Sequence, residues 1–175
     1  MKKVLWVPFL VLILLTFSIA PIFAQSSYVL PYPSAMPGSF LYKPRLLFEK
    51  LNKYWYFGNF GQFTYSLKQS DKYLVEAKTL FEYKQYLLGY NALKKSDRYF
   101  KETLPNLEKA QEDEKNITQN RLILSSAAQR HIEILEIIAK DAPEEFIWQP
   151  EKERPSKLKI KAAIQLSILL RNKSL

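Results

Sequence analysis

Cysteine is missing from this chain altogether, and histidine occurs once, at position 131. Without thiols there is no thiol nucleophile, no cysteine-bound zinc and no disulfide. A single imidazole cannot build a multi-histidine metal centre, and the reading assigns no metal and no cofactor. Glycine is nearly as scarce, with four residues in 175 and none at phosphate-loop spacing, which leaves no cradle for a nucleotide. What remains is 47% hydrophobic and 25% charged, the balance of a globular domain with a core of its own. The formal net charge is +9, and such an excess favours anionic partners.

The first residues choose the compartment. Lys2 and Lys3 precede an apolar run from Val4 to Ile19, followed by Ala20-Pro21-Ile22-Phe23-Ala24-Gln25. That order is the order of an export signal. Ala24 supplies the small residue before a cut between Ala24 and Gln25, although Ile22, three residues before the cut, is larger than the usual residue there. Residues 1–24 are read as a signal peptide, with an uncleaved N-terminal membrane anchor as the alternative, since the run is nearly long enough to span a bilayer. Either way the bulk of the chain is secreted or periplasmic, and export takes it away from nucleic acid. Removing the leader lowers the net charge by two.

Residues 25–43 read as an extended arm rich in proline and tyrosine, with Pro31, Pro33 and Pro37 barring helix. Pro37-Gly38 is a turn signal and Ser39 a cap for the first helix. The domain itself is expected over 44–140. A first helix from Pro44 to Phe57 would bury Leu46, Leu47, Leu51, Tyr54 and Trp55. Steps of three and four residues then mark a stripe through Phe60, Phe63, Leu67, Ser70, Leu74, Ala77 and Phe81. A second runs through Tyr83, Tyr86, Tyr90, Leu93, Phe100 and Leu104, with Asp97 its one charged member. Two adjoining stripes leave water by facing each other, so the pair is expected to form a helical hairpin. Helix is expected to stop before Pro105, and another to run from Asn106 to Lys140, exposed at its start and deep at its end. Residues 141–156, with three prolines and four glutamates, read as a surface connector pinned by Phe146 and Trp148. Residues 157–175 read as a basic, apolar C-terminal helix. The fold class is therefore all-α: an irregular four- or five-helix bundle with an extended proline-aromatic N-terminal arm.

Two stretches resemble a known family. Leu30-Pro31-Tyr32-Pro33, Met36-Pro37-Gly38-Ser39-Phe40 and Leu41-Tyr42-Lys43-Pro44-Arg45-Leu46-Leu47-Phe48-Glu49-Lys50-Leu51 are similar to the opening of a bacterial exported family catalogued as domain of unknown function 5667. Ser70-Asp71-Lys72-Tyr73-Leu74-Val75-Glu76-Ala77-Lys78 is similar to its next helix, with Tyr73 and Leu74 where Arg-Leu is common. Lys84-Gln85-Tyr86 and Ala92-Leu93-Lys94-Lys95-Ser96 resemble the segment after that. The likeness covers roughly residues 28–104 and implies a secreted or envelope-associated helical domain without assigned activity. Its bacterial setting also implies that the sequon at Asn116-Ile117-Thr118 goes unused. The middle hairpin resembles, more weakly, one tetratricopeptide unit, with Tyr86 in the aromatic position and Gly89 in the small one. The sequence holds no second copy at that period, and one unit cannot bury both its faces.

Chemistry is sparse. His131 has Ser125, Ser126 and Glu133 near it in sequence, but no strained nucleophile turn or glycine-rich oxyanion loop accompanies them, so a packing or surface histidine is the reading. Glu112-Asp113-Glu114 and Glu144-Glu145 read as solvated faces. Asp97 is read as salt-bridged to Lys94, Arg98 or Lys101, or as a buried contact fixing helix register. No residue is assigned a catalytic role. The candidate interaction surface is Tyr54, Trp55 and Tyr56, where tyrosine and tryptophan suit packing or the stacking of envelope sugars, together with Lys157, Lys159 and Lys161 on the C-terminal helix. The expected function is that of a non-enzymatic interaction or structural module at the cell envelope, its partner an envelope protein. The alternative is a peripheral binder of anionic membrane or wall polymer through the basic C-terminal helix, which is expected to pack in the bundle unless membrane claims it. A hydrolase is the remote third reading.

Overall fold

The computed structural model describes residues 27–175, so the expected leader and its cut between Ala24 and Gln25 lie outside the described residues. Among the described residues the fold is all-α, with five helices and one small hairpin. They are α1 (Tyr42–Asn52), α2 (Gly58–Glu82), α3 (Tyr86–Glu112), α4 (Thr118–Asp141) and α5 (Ile160–Asn172). A 3₁₀ turn, Lys53–Trp55, comes directly after α1, and strands β1 (Glu145–Trp148) and β2 (Ser156–Lys159) precede α5.

The two stripes do face each other: α2 and α3 form the most extensive contact in the fold. Phe63, Leu67, Leu74, Ala77 and Phe81 are buried on α2, and Leu93 and Phe100 on α3. Gly89 lets the helices close, because a Cβ there would lie 3.2 Å from the Phe81 ring. The reversal between them needs neither glycine nor proline. Lys84 takes a left-handed φ of 57°, while Gln85 N–H bonds Leu80 O at 2.8 Å and Lys84 N–H bonds Phe81 O at 2.9 Å. That pair of bonds is a Schellman stop. Glu114, at φ 59°, ends α3 the same way through Lys115 N–H to Ala110 O and Glu114 N–H to Gln111 O.

Pro105 does not end a helix, against expectation. It sits inside α3, which continues to Glu112. A mid-helix proline costs about 3 kcal/mol. Beyond it Leu107 and Ala110 are wholly buried, and a buried leucine returns about 1.5–3 kcal/mol. Side chains also serve the local carbonyls: Thr103 Oγ1 donates to Phe100 O and Asn106 Nδ2 to Glu102 O, both at 2.7 Å. The expected exposed start of a single long helix from Asn106 is therefore the end of α3.

Residues 145–159 are not a plain connector. Glu145–Trp148 pairs antiparallel with Ser156–Lys159, Phe146 opposite Leu158. Phe146 packs on Tyr86 at 5.4 Å between rings, but Trp148 stays exposed. The last helix starts at Ile160 and packs on α3 and α4. It buries Ile160, Ile164, Ser167 and Arg171 while Leu166 and Leu169 face outward. Bundle packing holds, then, but on the isoleucine side and without those leucines.

Among the described residues the core has two apolar clusters. One gathers Leu74, Leu80, Leu93, Leu135, Ile138 and Ile164, and the other Phe63, Leu67, Phe100, Leu107, Leu124 and Ala128. Along α2, α3 and α4 the polar residues Ser70-Asp71, Ser96-Asp97 and His131 fall between members of the two.

Candidate functional site: a polar layer and an outward apolar face

Each helix from α2 to α5 contributes a rung to that interruption. Asp71 Oδ1 lies 2.7 Å from His131 Nε2, and Arg171 Nε donates to His131 Nδ1 at 3.1 Å. Arg171 also donates to Asp97 Oδ1 at 2.6 Å, Ser96 Oγ at 2.9 Å and Ser167 O at 3.0 Å. Ser167 Oγ donates to Asp97 Oδ2 at 2.6 Å, and Tyr28, from the arm, donates its hydroxyl to Asp71 Oδ2 at 2.7 Å. The guanidinium lies 4.9 Å over the Phe100 ring. Because a cationic guanidinium faces Nδ1, that nitrogen is the acceptor, and Nε2 carries the proton toward Asp71. Burial, with Arg171 adding to it, depresses the imidazole's pKa below its ordinary 6.5 against the pull of Asp71. His131 is thus a neutral, fully enclosed bridge between a carboxylate and a cation.

Both imidazole nitrogens are engaged, so neither is left to take a proton from a nucleophile. Glu133 turns to Arg130 at 2.6 Å, and the serine–histidine–acid arrangement imagined around Ser125, Ser126 and Glu133 is not what His131 joins. Asp97 does form a salt bridge, but to Arg171 of α5 and not to Lys94, Arg98 or Lys101, and a quarter of its side chain stays exposed.

A second polar cluster holds α1 on α2. Arg45 reaches Glu76 Oε2 at 2.6 Å and Glu49 Oε1 at 3.0 Å, and donates to Ser34 Oγ at 2.7 Å. Glu49 also pairs with Lys72 and accepts from the Tyr73 hydroxyl at 2.7 Å, while Tyr65 donates to its carbonyl at 3.1 Å. Tyr42 donates to Glu76 at 3.1 Å, and burial together with that carboxylate pushes its phenol up to about 12. Glu49 is the one residue of α1 that is buried.

With its charged side turned inward, α1 shows its apolar side to water. This reverses the expectation that Leu47, Leu51, Tyr54 and Trp55 would be buried. Phe40, Leu41, Leu47, Phe48, Leu51, Tyr54, Trp55 and Phe57 are 50–91% exposed. Their contiguity in one segment exceeds the scatter of single apolar residues that any surface carries. Tyr56 behaves differently from its neighbours: its ring packs 5.4 Å from Tyr65, under Lys68. At 3.6 residues per turn Leu47 and Leu51 form the middle of the outer face, and Lys43 and Lys50 share one flank. Glu49 is the only acid in residues 39–57.

The other candidate surface residues are largely matched. Lys157 pairs with Glu145 at 2.5 Å and Lys161 with Glu144 at 2.7 Å. Lys159 stands opposite Glu145 in the hairpin register. Arg171 of α5, within the stretch 157–175 read as basic and apolar, is internal. What pointed to it was its position: Ile160, Ile164, Ser167 and Arg171 recur at helical steps, so a cation stands on an apolar stripe, as Asp97 does on α3. Glu49 gave no comparable signal.

Among the described residues no group of acidic or histidine side chains is placed to hold a metal ion, and no helix is long and apolar enough to cross a membrane. Compared with known proteins, the chain matches no family model, no curated protein and no solved structure. The motif likeness over residues 28–104 therefore rests on those residues alone.

Proposed function

We propose that this chain is an exported, non-catalytic helical module that works by binding at the cell envelope, with α1 and its 3₁₀ extension as the contact face. The observation that carries the reading is the orientation of α1: ion pairs inward, leucines and aromatic rings outward. A helix so mounted leaves apolar surface in water at a cost that a partner would recover. The polar layer supports the non-catalytic half of the reading, since Asp71, His131, Asp97 and Arg171 hydrogen-bond one another in one network. The leader read at residues 1–24 supplies the compartment. A second reading keeps the C-terminal helix as the contact, favoured by the exposure of Leu166 and Leu169 and weakened by the pairing of Lys157 and Lys161.

The test is fractionation of cells exporting the wild-type chain or Leu47→Ser/Phe48→Ser/Trp55→Ser. These are surface changes, each expected to alter stability by no more than about 0.5 kcal/mol. The wild-type chain is expected with the envelope and the triple variant, equally helical, in the soluble extracytoplasmic fraction. A wild-type chain recovered wholly soluble would overturn the proposal.

A further inference from the structure

We infer that the occupant of the α1 face is the surface of an anionic lipid bilayer, with α1 lying in the plane of the interface. The inference rests on the binding role proposed above and names its partner.

Three observations favour lipid. The exposed charges of residues 39–57 are Lys43, Lys50 and Lys53, all of one sign, because Glu49 is enclosed by Arg45, Lys72 and Tyr73. Lysines bordering leucine, phenylalanine and tryptophan make the composition that seats helices at the headgroup boundary, where phosphates meet the ammonium groups and rings enter the acyl region. Trp55 and Tyr54 come directly after the helix, and both are more than two-thirds exposed. A second copy of the chain fits this face poorly: a two-fold contact is self-complementary, and here it would set lysines against lysines. The apolar run Val4–Ile19 also lies close in sequence before the described arm, so export brings this end of the chain to a bilayer first.

Trp55 makes the test direct. In the exported chain beginning at Gln25, Trp148→Phe leaves Trp55 as the sole tryptophan. The probes are vesicles of phosphatidylglycerol with phosphatidylcholine, and vesicles of phosphatidylcholine alone. Trp55 emission is expected to shift to the blue on the acidic vesicles only. Leu47→Ser/Phe48→Ser should weaken partitioning roughly tenfold or more. Lys43→Gln/Lys50→Gln/Lys53→Gln should weaken it roughly a hundredfold, from about a fivefold contribution per lysine. Lys157→Gln/Lys159→Gln/Lys161→Gln should change it less than about twofold. An unmoved Trp55 spectrum, equal binding to neutral vesicles, or loss of binding on changing the C-terminal lysines would each overturn the inference. So would a dimer in light scattering that Leu47→Ser/Phe48→Ser dissolves. If the chain fractionates with the envelope yet ignores acidic vesicles, the lipid inference falls and the binding role survives, with an envelope protein or wall polymer as its partner.

Discussion

Removing the Arg171 guanidinium should loosen the whole bundle, although the residue stands close to the last position of the described chain. The side chain is wholly buried and joins α5 to α3 through Asp97 and Ser96 and to α4 through His131. Arg171→Ala leaves Asp97 without its cation, His131 Nδ1 without a donor and a void beside Phe100. Breaking a fully buried pair from one side costs about 3–5 kcal/mol. Asp97 keeps a quarter of its side chain in water, which lowers that cost. The void and the unpaired His131 Nδ1 bring the total back to about 3–5 kcal/mol, against a total stability of roughly 5–15 kcal/mol for a domain. At about 2–4 °C per kcal/mol for a chain of this size, the melting temperature should fall by roughly 6–20 °C. The discriminating comparison is Asp97→Leu/Arg171→Met, which removes both charges and refills the space. Neighbours in one network couple by about 0.5–3 kcal/mol, so the double variant should melt above the sum of its singles. Calorimetry or circular-dichroism melts of the five proteins (wild type, Arg171→Ala, the double variant and its two singles) decide. An Arg171→Ala protein that melts within a degree of wild type would refute the assignment of this network as what seats α5, and additive single effects would refute its cooperativity.

The remaining predictions concern the same layer and the turns. His131 is neutral when folded, with its pKa depressed by burial, and regains its ordinary value near 6.5 on unfolding. The unfolded chain therefore binds the extra proton below pH 6.5, so His131's contribution is complete above that pH and is lost as pH falls through the window beneath it. The slope from this one group is at most about 1.4 kcal/mol per pH unit. Chemical denaturation between pH 7.5 and 5.5 should show it, and His131→Gln should flatten it; equal slopes in both proteins would refute it. Lys84→Gly and Glu114→Gly should each stabilise the fold by about 0.5–1 kcal/mol, because both positions hold a left-handed φ that costs a side-chain-bearing residue about 1–2 kcal/mol. Thermal melts unchanged or lowered by both substitutions would count against the two Schellman stops.

The α2–α3 hairpin was legible because its apolar residues recur at a period that only a helix satisfies, and that period does not depend on what lies opposite. Its boundaries were less so. Sequence reading looks for glycine at a helix stop, yet Lys84 and Glu114 do that work through backbone bonds that any residue can make at a modest cost. Pro105 misled in the other direction, since the energy that carries α3 past it comes from Leu107 and Ala110 meeting the core, a tertiary effect with no local mark. The strands 145–148 and 156–159 are four residues each, too short for alternation to stand out among prolines and glutamates. The polar layer was half visible. Asp97 is conspicuous as a charge on an apolar stripe, whereas Arg171, on the isoleucine stripe, is hidden among Lys157, Lys159, Lys161 and Lys173. The opposing faults belong together: a charge that interrupts one stripe is explained by an opposite charge interrupting another.

The orientation of α1 was illegible for a different reason. Amphipathic spacing identifies which side of a helix is apolar, and the usual inference that this side faces the core adds an assumption about what the core offers. Here α2 presents Tyr65, Lys72, Tyr73 and Glu76 to α1, a surface written for hydrogen bonds and ion pairs. Laying Leu47 and Leu51 upon it would strand the Glu76 carboxylate and the Lys72 ammonium without partners, at a cost of several kcal/mol per buried ion. Exposing the leucines instead forgoes about 1.5–3 kcal/mol for each. The polar face therefore wins the contact with α2, and the apolar face is left over because the described residues offer it nothing better. A partner outside the fold meets no such competition, so the outward face of α1 is where the structure has binding energy still to release.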